Sequence, residues 1–349
     1  MKNTHGIQFY SMWSIMKTMN VYLLFLFSWF NCAPPDSNNM NPQNKVLVLS
    51  DKVTLTNVRG RMDHIAYDAE DQLAFIAALG NNTIEVVNIR TGKVIHTITD
   101  LHEPQGIVYL SSLKRLVVAN GGNGQCIFYE TQTYNQLAIV NLQDDADNMR
   151  FDSASNMLYA GYGNGGIAII DVVSMKKVGA IALDGHPESF RISRKQNRIY
   201  INVPDEDETA VGDLSNNTII TKWKNTKASS NFPMALCEEN NLLFIGCRHP
   251  AMLEMLNAQT GEVMYTIKCS GDADDIFYYA PDSLMFVSAG EGLIDVFRIN
   301  AKKELVLFDQ VKTRKGSRTS LLLSREKKFL LAVPARAGEP AALWIYNII

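Results

Sequence analysis

The sequence predicts an all-β fold, a seven-bladed β-propeller whose last blade is closed by an N-terminal strand. Three observations carry this expectation. From residue 64 onward the chain repeats, with units beginning near His64, Gly106, Asn148, Ser189, Met234, Asp275 and Ser320, at steps of 42, 42, 41, 45, 41 and 45 residues. Each unit holds short runs with apolar residues at alternate positions, the period of a strand, separated by turns of Asp, Asn and Gly. Most units have four runs, but the seventh has only three, "SLLLS", "KFLLAVP" and "ALWIYNII". Four strands per forty-odd residues, repeated seven times, is the pattern of a propeller. Its blades bury their two apolar faces only against their neighbours, and ring closure leaves no face unstacked.

Taken in order, residues 1–31 are expected to be a signal peptide. Lys17 precedes "VYLLFLFSWF" (Val21–Phe30), an apolar run of ten residues that is too short for a bilayer and fits a signal core, with Met16 or Met19 as alternative starts. Residues 32–44, "CAPPDSNNMNPQN", read as a polar, Pro-rich tether. Cys32 stands where a lipoprotein cysteine would stand, although "WFNC" lacks the small residues that usually precede one. The expectation is an exported protein, periplasmic or an outer-membrane lipoprotein, touching the membrane only through a lipid on Cys32. Residues 45–349 are expected to form a single propeller. "KVLVLSDKVTLTNV", from Lys45, precedes the first unit and supplies the strand that the seventh lacks.

Within the blades, "NIRTGKV" (Asn88–Val94) and "NAQTGEV" (Asn257–Val263) are the same hairpin turn between third and fourth strands, with Gly at the position that needs positive φ. The fourth blade departs from the pattern: "VPDEDETAVGDLSNNTI" has extra acidic residues and no such turn. Charged residues are 20% of the chain, the net charge is −3, and no run of Lys and Arg tracks along it, which disfavours nucleic acid as a partner. Phosphate-loop and dinucleotide signatures are absent, and without a CxxCH site a covalent haem is excluded. Cys126, Cys237, Cys247 and Cys269 form no CxxC pair and are expected to be reduced and mostly buried. Arg248 beside Cys247 would lower that thiol's pKa, but a buried strand-end thiol is the preferred reading.

In a propeller the first strand of each blade lines the central channel, and the seven loops entering those strands share one mouth. One acidic tripeptide occurs twice in these loops, as "DDADN" (Asp144–Asn148) and "GDADD" (Gly271–Asp275), 127 residues or three repeats apart. The repeat itself explains the spacing: both copies occupy the same place in different blades. Neither copy has the spacing of an EF-hand. The mouth also gathers His64, His102 and His186, with His249 on a loop of the same face. The expected ligand-binding set is His64, His102, Glu103, Asp145, Asp147, His186, Glu188, Arg248, Asp272, Asp274, Arg318 and Arg336. Asp63, His64, His102 and His186 are the expected metal ligands, and calcium, zinc and copper all stay open. Single Asp residues here also suit ordinary turn capping.

The repeats resemble the YVTN-type, or YncE-like, propellers of bacteria and archaea. "LAFIAALGNNTIEVVNIRTGKVIHTI" and "LYAGYGNGGIAIIDVVSMKKVGAI" carry the likeness, which extends over nearly all of residues 45–349. It implies a seven-bladed, exported protein and no particular activity. Two functions follow as expectations. The first is a noncatalytic binding or scaffold protein of the cell envelope, taking a small anionic ligand or an envelope protein at the mouth. The second is a metal-dependent hydrolase or lactonase-like enzyme acting there, with a metal polarising a carbonyl and His64 or His186 as general base.

Overall fold

The structure, a computed structural model, describes residues 45–163 and 165–349. The expected signal peptide and the tether with Cys32 lie outside the described residues. Seven four-stranded antiparallel sheets follow one another along the chain. In six of them the strands lie in sequence order. The seventh is ordered Leu47–Leu55, Ala341–Ile348, Lys328–Val333, Ser320–Leu323, so the N-terminal strand closes it from outside, as the count of alternating runs predicts. Eight residue pairs join that strand to Ala341–Ile348, from Leu47↔Ile348 to Leu55↔Ala341, with one bulge after Leu49.

Strand periodicity explains how each sheet packs. In the first blade Phe75 and Ala77 point toward the second blade, while Ala74, Ile76 and Ala78 point toward the seventh. In the seventh, Phe329, Leu331 and Val333 face the sixth blade, while Leu330 and Ala332 face the first. Each sheet is therefore apolar on both faces, and seven separate apolar clusters fill the seven junctions between neighbours. The N-terminal strand feeds two of them: Val46 and Leu47 pack between blades six and seven, and Val53, Leu55 and Val58 between seven and one. The turns have the local chemistry read from the sequence. Gly92 and Gly261 adopt φ of 66° and 77°, and the Asn88 and Asn257 side chains accept backbone N–H bonds that hold the two equivalent turns.

The cysteines follow the expectation of reduced thiols, with Cys126, Cys237 and Cys247 buried and Cys269 half-buried. Burial, followed by the charge of Glu254, pushes the Cys247 thiol up. The activating influence expected of Arg248 does not operate, because that guanidinium points away to Asp274 and the Ala273 carbonyl.

Candidate functional site

The first strand of every blade passes through a matching register: Ile65↔Ile76, Ile107↔Val118, Met149↔Ala160, Phe190↔Ile201, Met234↔Ile245, Ile276↔Val287 and Ser320↔Leu331. Two residues before these positions lie Asp63, Gln105, Asp147, Glu188, Phe232, Asp274 and Arg318, one from each blade. This is a ring of seven equivalent side chains at the mouth, and four of them are carboxylic acids. A constricted cavity of about 20 Å³ lies within it, lined by Arg61, Asp63, His64, Asp147, Asn148, Glu188, Ser189, Phe232 and Asp274. That is room for a single water or ion. The second and third blades approach each other closely here: a Cβ on Gly106 would lie 2.1 Å from the Asp147 carbonyl oxygen, so only glycine allows that spacing.

The four acids have different surroundings. Asp274 is clamped: Arg248 Nη2 donates to its Oδ1 at 2.6 Å and Arg318 Nε to its Oδ2 at 2.9 Å. Arg318 Nη1 also donates to Asp272 at 2.7 Å, and the Arg248 guanidinium stacks over the Phe232 ring, 3.6 Å from its centroid. Asp63 accepts from Arg61 Nη2 at 2.6 Å and lies 3.7 Å from His64. Asp147 and Glu188 have no ion pair within 4.0 Å among the described residues. They instead form, with His186, the only group among the described residues of three or more ligating side chains whose donor atoms all lie within 4.8 Å of one another.

Burial raises three of the four carboxyls, Asp274 among them although Arg318 and then Arg248 pull it back. Burial, then the negative charge of Asp63, raises the Asp147 carboxyl to about 6. Burial, then Asp147 and Asp274, holds Glu188 well above the usual carboxylate range. A divalent cation between the two would relieve both penalties. His186 is prepared for one. Its Nδ1 lies 2.7 Å from the Gly163 carbonyl oxygen, which only accepts, so Nδ1 carries a proton and a neutral ring keeps its lone pair on Nε2. Asn148 adds an oxygen. Its Nδ2 donates to Asp147 Oδ2 at 3.3 Å, while its buried Oδ1, in the wall of the same cavity, has no hydrogen-bond partner among the described residues. A buried carbonyl oxygen left in this way is costly unless something binds it.

The metal set expected from sequence, Asp63, His64, His102 and His186, is not brought together; only His186 joins the cluster. His64 sits between Asp275 at 3.6 Å and Asp63 at 3.7 Å. Burial opposes its charge, but Asp275 and then Asp63 outweigh burial and hold the imidazole up to about 10. It is therefore protonated at neutral pH, with no lone pair for a metal and no capacity to act as a base. His102 is exposed, placed by its backbone N–H on Asn120 Oδ1 at 3.3 Å. Glu103 is exposed as well, while Asp145 accepts from Gln105 Nε2 at 3.0 Å and lies 3.9 Å from His186. Arg336 lies outside the ring, in a rim cavity of about 320 Å³ shared with Arg61, Asp272, Lys315 and Arg318. His249, also exposed, bonds through Nδ1 with Ser230 Oγ at 3.1 Å. Sequence reasoning missed Asn148, Gln105 and Phe232, which only a strict alignment of the seven loops places in or beside the ring.

No family model matches the chain, and no curated protein does. Solved structures do. A chain of Kuenenia stuttgartiensis hydrazine synthase superposes with a TM-score of 0.70 at 13% identity, over 80% of this chain and 95% of that one. A chain of a mitotic checkpoint complex superposes with a TM-score of 0.71 at 14% identity, over 93% of this chain and 98% of that one. These likenesses show the β-propeller fold. With 1819 solved chains matching, the fold alone selects no activity.

Proposed function

We propose that the chain is a binding protein of the cell envelope that works through its channel mouth, with a divalent transition-metal ion held by Asp147, His186 and Glu188. One observation carries the reading: a buried and a half-buried carboxyl, neither with an ion-pair partner within 4.0 Å among the described residues, converge with an oriented imidazole. The imidazole nitrogen and mixed oxygen donors suit zinc better than calcium, which prefers six to eight oxygens. The rim arginines supply the counter-charge for an acidic group on a small ligand or on an envelope partner. Export, and a lipid on Cys32 as the sole membrane contact, rest on the apolar Val21–Phe30 segment and on the resemblance of the repeats to exported YVTN-type propellers. The alternative, a metal-dependent hydrolase, loses one of its two candidate bases, since His64 keeps its proton at neutral pH.

Elemental analysis of untagged protein purified without chelator or metal-affinity steps tests the reading. The expected result is one divalent ion per chain, restored to stripped protein by zinc and lost in His186→Ala and Glu188→Gln. Stripped protein that takes up neither zinc, copper nor calcium in calorimetry would end it.

A further inference from the structure

Below the acidic ring the channel changes sign. One residue beyond each register position stand Ala66, Val108, Arg150, Arg191, Ala235, Phe277 and Leu321, a second ring of equivalent side chains. Two arginines from adjacent blades are its only charged members. They border a cavity of about 220 Å³ whose wall also includes His64, Ile65, Ile107, Met149, Asp275, Phe277 and Leu321. Measured against liquid water, that is space for about seven molecules.

The two guanidiniums lack an anion. Arg150 Nη2 and Arg191 Nη1 both donate to Ser189 Oγ, at 3.2 and 3.1 Å, and each gives another N–H to a backbone carbonyl, Met149 O at 2.7 Å and Phe190 O at 2.9 Å. Neither has an ion pair within 4.0 Å among the described residues. Both lone pairs of the Ser189 hydroxyl are therefore engaged, and its own proton is left to donate. Burial disfavours the charge on both arginines, and on Arg191 the charge of Arg150 adds to the penalty. His64 and Asp275 face the same cavity 3.6 Å apart, and Asp275, the one carboxylate in its wall, already accepts from the Ser320 backbone N–H at 2.8 Å. Two guanidiniums thus face one carboxylate across this cavity.

We propose that this cavity is a binding site for a small organic carboxylate, with Arg150 and Arg191 taking the carboxylate and Ile107, Met149, Phe277 and Leu321 enclosing its apolar part. Guanidinium forks match a carboxylate's two oxygens, and the apolar wall gives an organic acid contacts that a bare oxyanion does not use. The site shares no residue with the cluster of Asp147, His186 and Glu188, so either can exist without the other.

The test is calorimetric titration of the full chain, stripped of metal, with benzoate and separately with inorganic phosphate. Benzoate should bind at one site per chain, more tightly than phosphate, and at least tenfold more weakly in Arg191→Gln. Glu188→Gln, which alters the metal cluster, should leave benzoate affinity within twofold. If Arg191→Gln fails to fold, the Arg150 and Arg191 Nε–H resonances of the unaltered protein serve instead, and benzoate should shift both. Absence of benzoate binding at 10 mM, phosphate binding as tight as benzoate, or Arg resonances that stay fixed while benzoate binds would each overturn the proposal.

Discussion

The two copies of the acidic tripeptide have the same backbone and opposite chemistry. Asp145 and Asp272 both take positive φ, 25° and 58°, and each carbonyl accepts from a facing glycine, Gly163 at 3.1 Å and Gly290 at 2.9 Å. Ala146 and Ala273 then pair across the blade, and both strands bulge before regular pairing resumes. Their side chains part company. In the sixth blade Asp272 and Asp274 are held by Arg248 from the fifth blade and Arg318 from the seventh. In the third blade Asp147 has no arginine partner; it accepts from Asn148 and converges with Glu188 and His186 from the fourth. The repeat sets where a side chain points, and the adjoining blades decide whether it becomes part of a structural ion pair or of a ligand site.

The coarsest way to break this comparison is to open the ring, because every neighbour in it is set by closure. A chain beginning at residue 60 loses Val46, Leu47, Val53, Leu55 and Val58 from two blade junctions. At about 1.5–3 kcal/mol for each buried side chain, the loss rivals the whole stability of a typical domain. That chain should show no cooperative melting transition, whereas one beginning at residue 41 should melt like the full protein. Equal melting temperatures for the two would refute closure by the N-terminal strand.

Next in size is the clamp. Asp274→Asn leaves Arg248 and Arg318, with side chains only 16% and 20% exposed, without their main partner. Uncompensated buried charge is expensive, and Asp272 stays to share it, so the cost should be about 3 kcal/mol in urea unfolding. A change below about 1 kcal/mol would show that the clamp is not structural.

Asp147→Asn should act in the other direction. With its folded-state carboxyl raised to about 6, against an unfolded value of about 3.9, Asp147 binds more protons folded than unfolded between those values. Its contribution therefore worsens as pH rises through that window, reaching roughly 3 kcal/mol of destabilisation above pH 6 at about 1.4 kcal/mol per unit. Metal-free Asp147→Asn should be about 2 kcal/mol more stable than the parent at pH 7.5, with the gap closing near pH 4. Excess zinc should reverse the order at pH 7.5 by stabilising only the parent. A gap independent of pH between 4 and 7.5 would contradict the burial argument.

These contrasts also mark how much the sequence discloses. The fold was legible because alternation and turn chemistry are local, and because the shortfall of one strand in "SLLLS … YNII" had one remedy in "KVLVLSDKVTLTNV". Asp147, His186 and Glu188 were all named among candidate mouth residues. Their grouping was not legible, since it depends on which blade adjoins which and on Gly163 orienting the imidazole. His64 and His186 look alike as loop histidines. Three register positions separate them: His64 lies one residue before its strand's pairing begins, between two carboxylates, while His186 lies four before Phe190. Arg150 and Arg191 were hidden inside strands, where a basic residue reads as an ordinary solvent-facing position.

The smallest expected effect belongs to His102, and it sharpens the comparison by testing whether position in a loop suffices for function. Asp144, Gly271 and His102 are equivalent, each one residue before the positive-φ position at Asp145, Asp272 and Glu103. His102 is exposed, and the only hydrogen bonds it makes among the described residues run through its backbone, to Asn120 and Gly122. An exposed side chain without a hydrogen-bond partner has little to lose on truncation. His102→Ala should change unfolding free energy by less than about 0.5 kcal/mol and leave zinc affinity within twofold, while His186→Ala should lower that affinity at least tenfold. Calorimetry on the two variants side by side reads both numbers. A His102→Ala protein that binds zinc as poorly as His186→Ala would mean that the outer loop closes over the mouth when metal is present, and would add His102 to the ligand set.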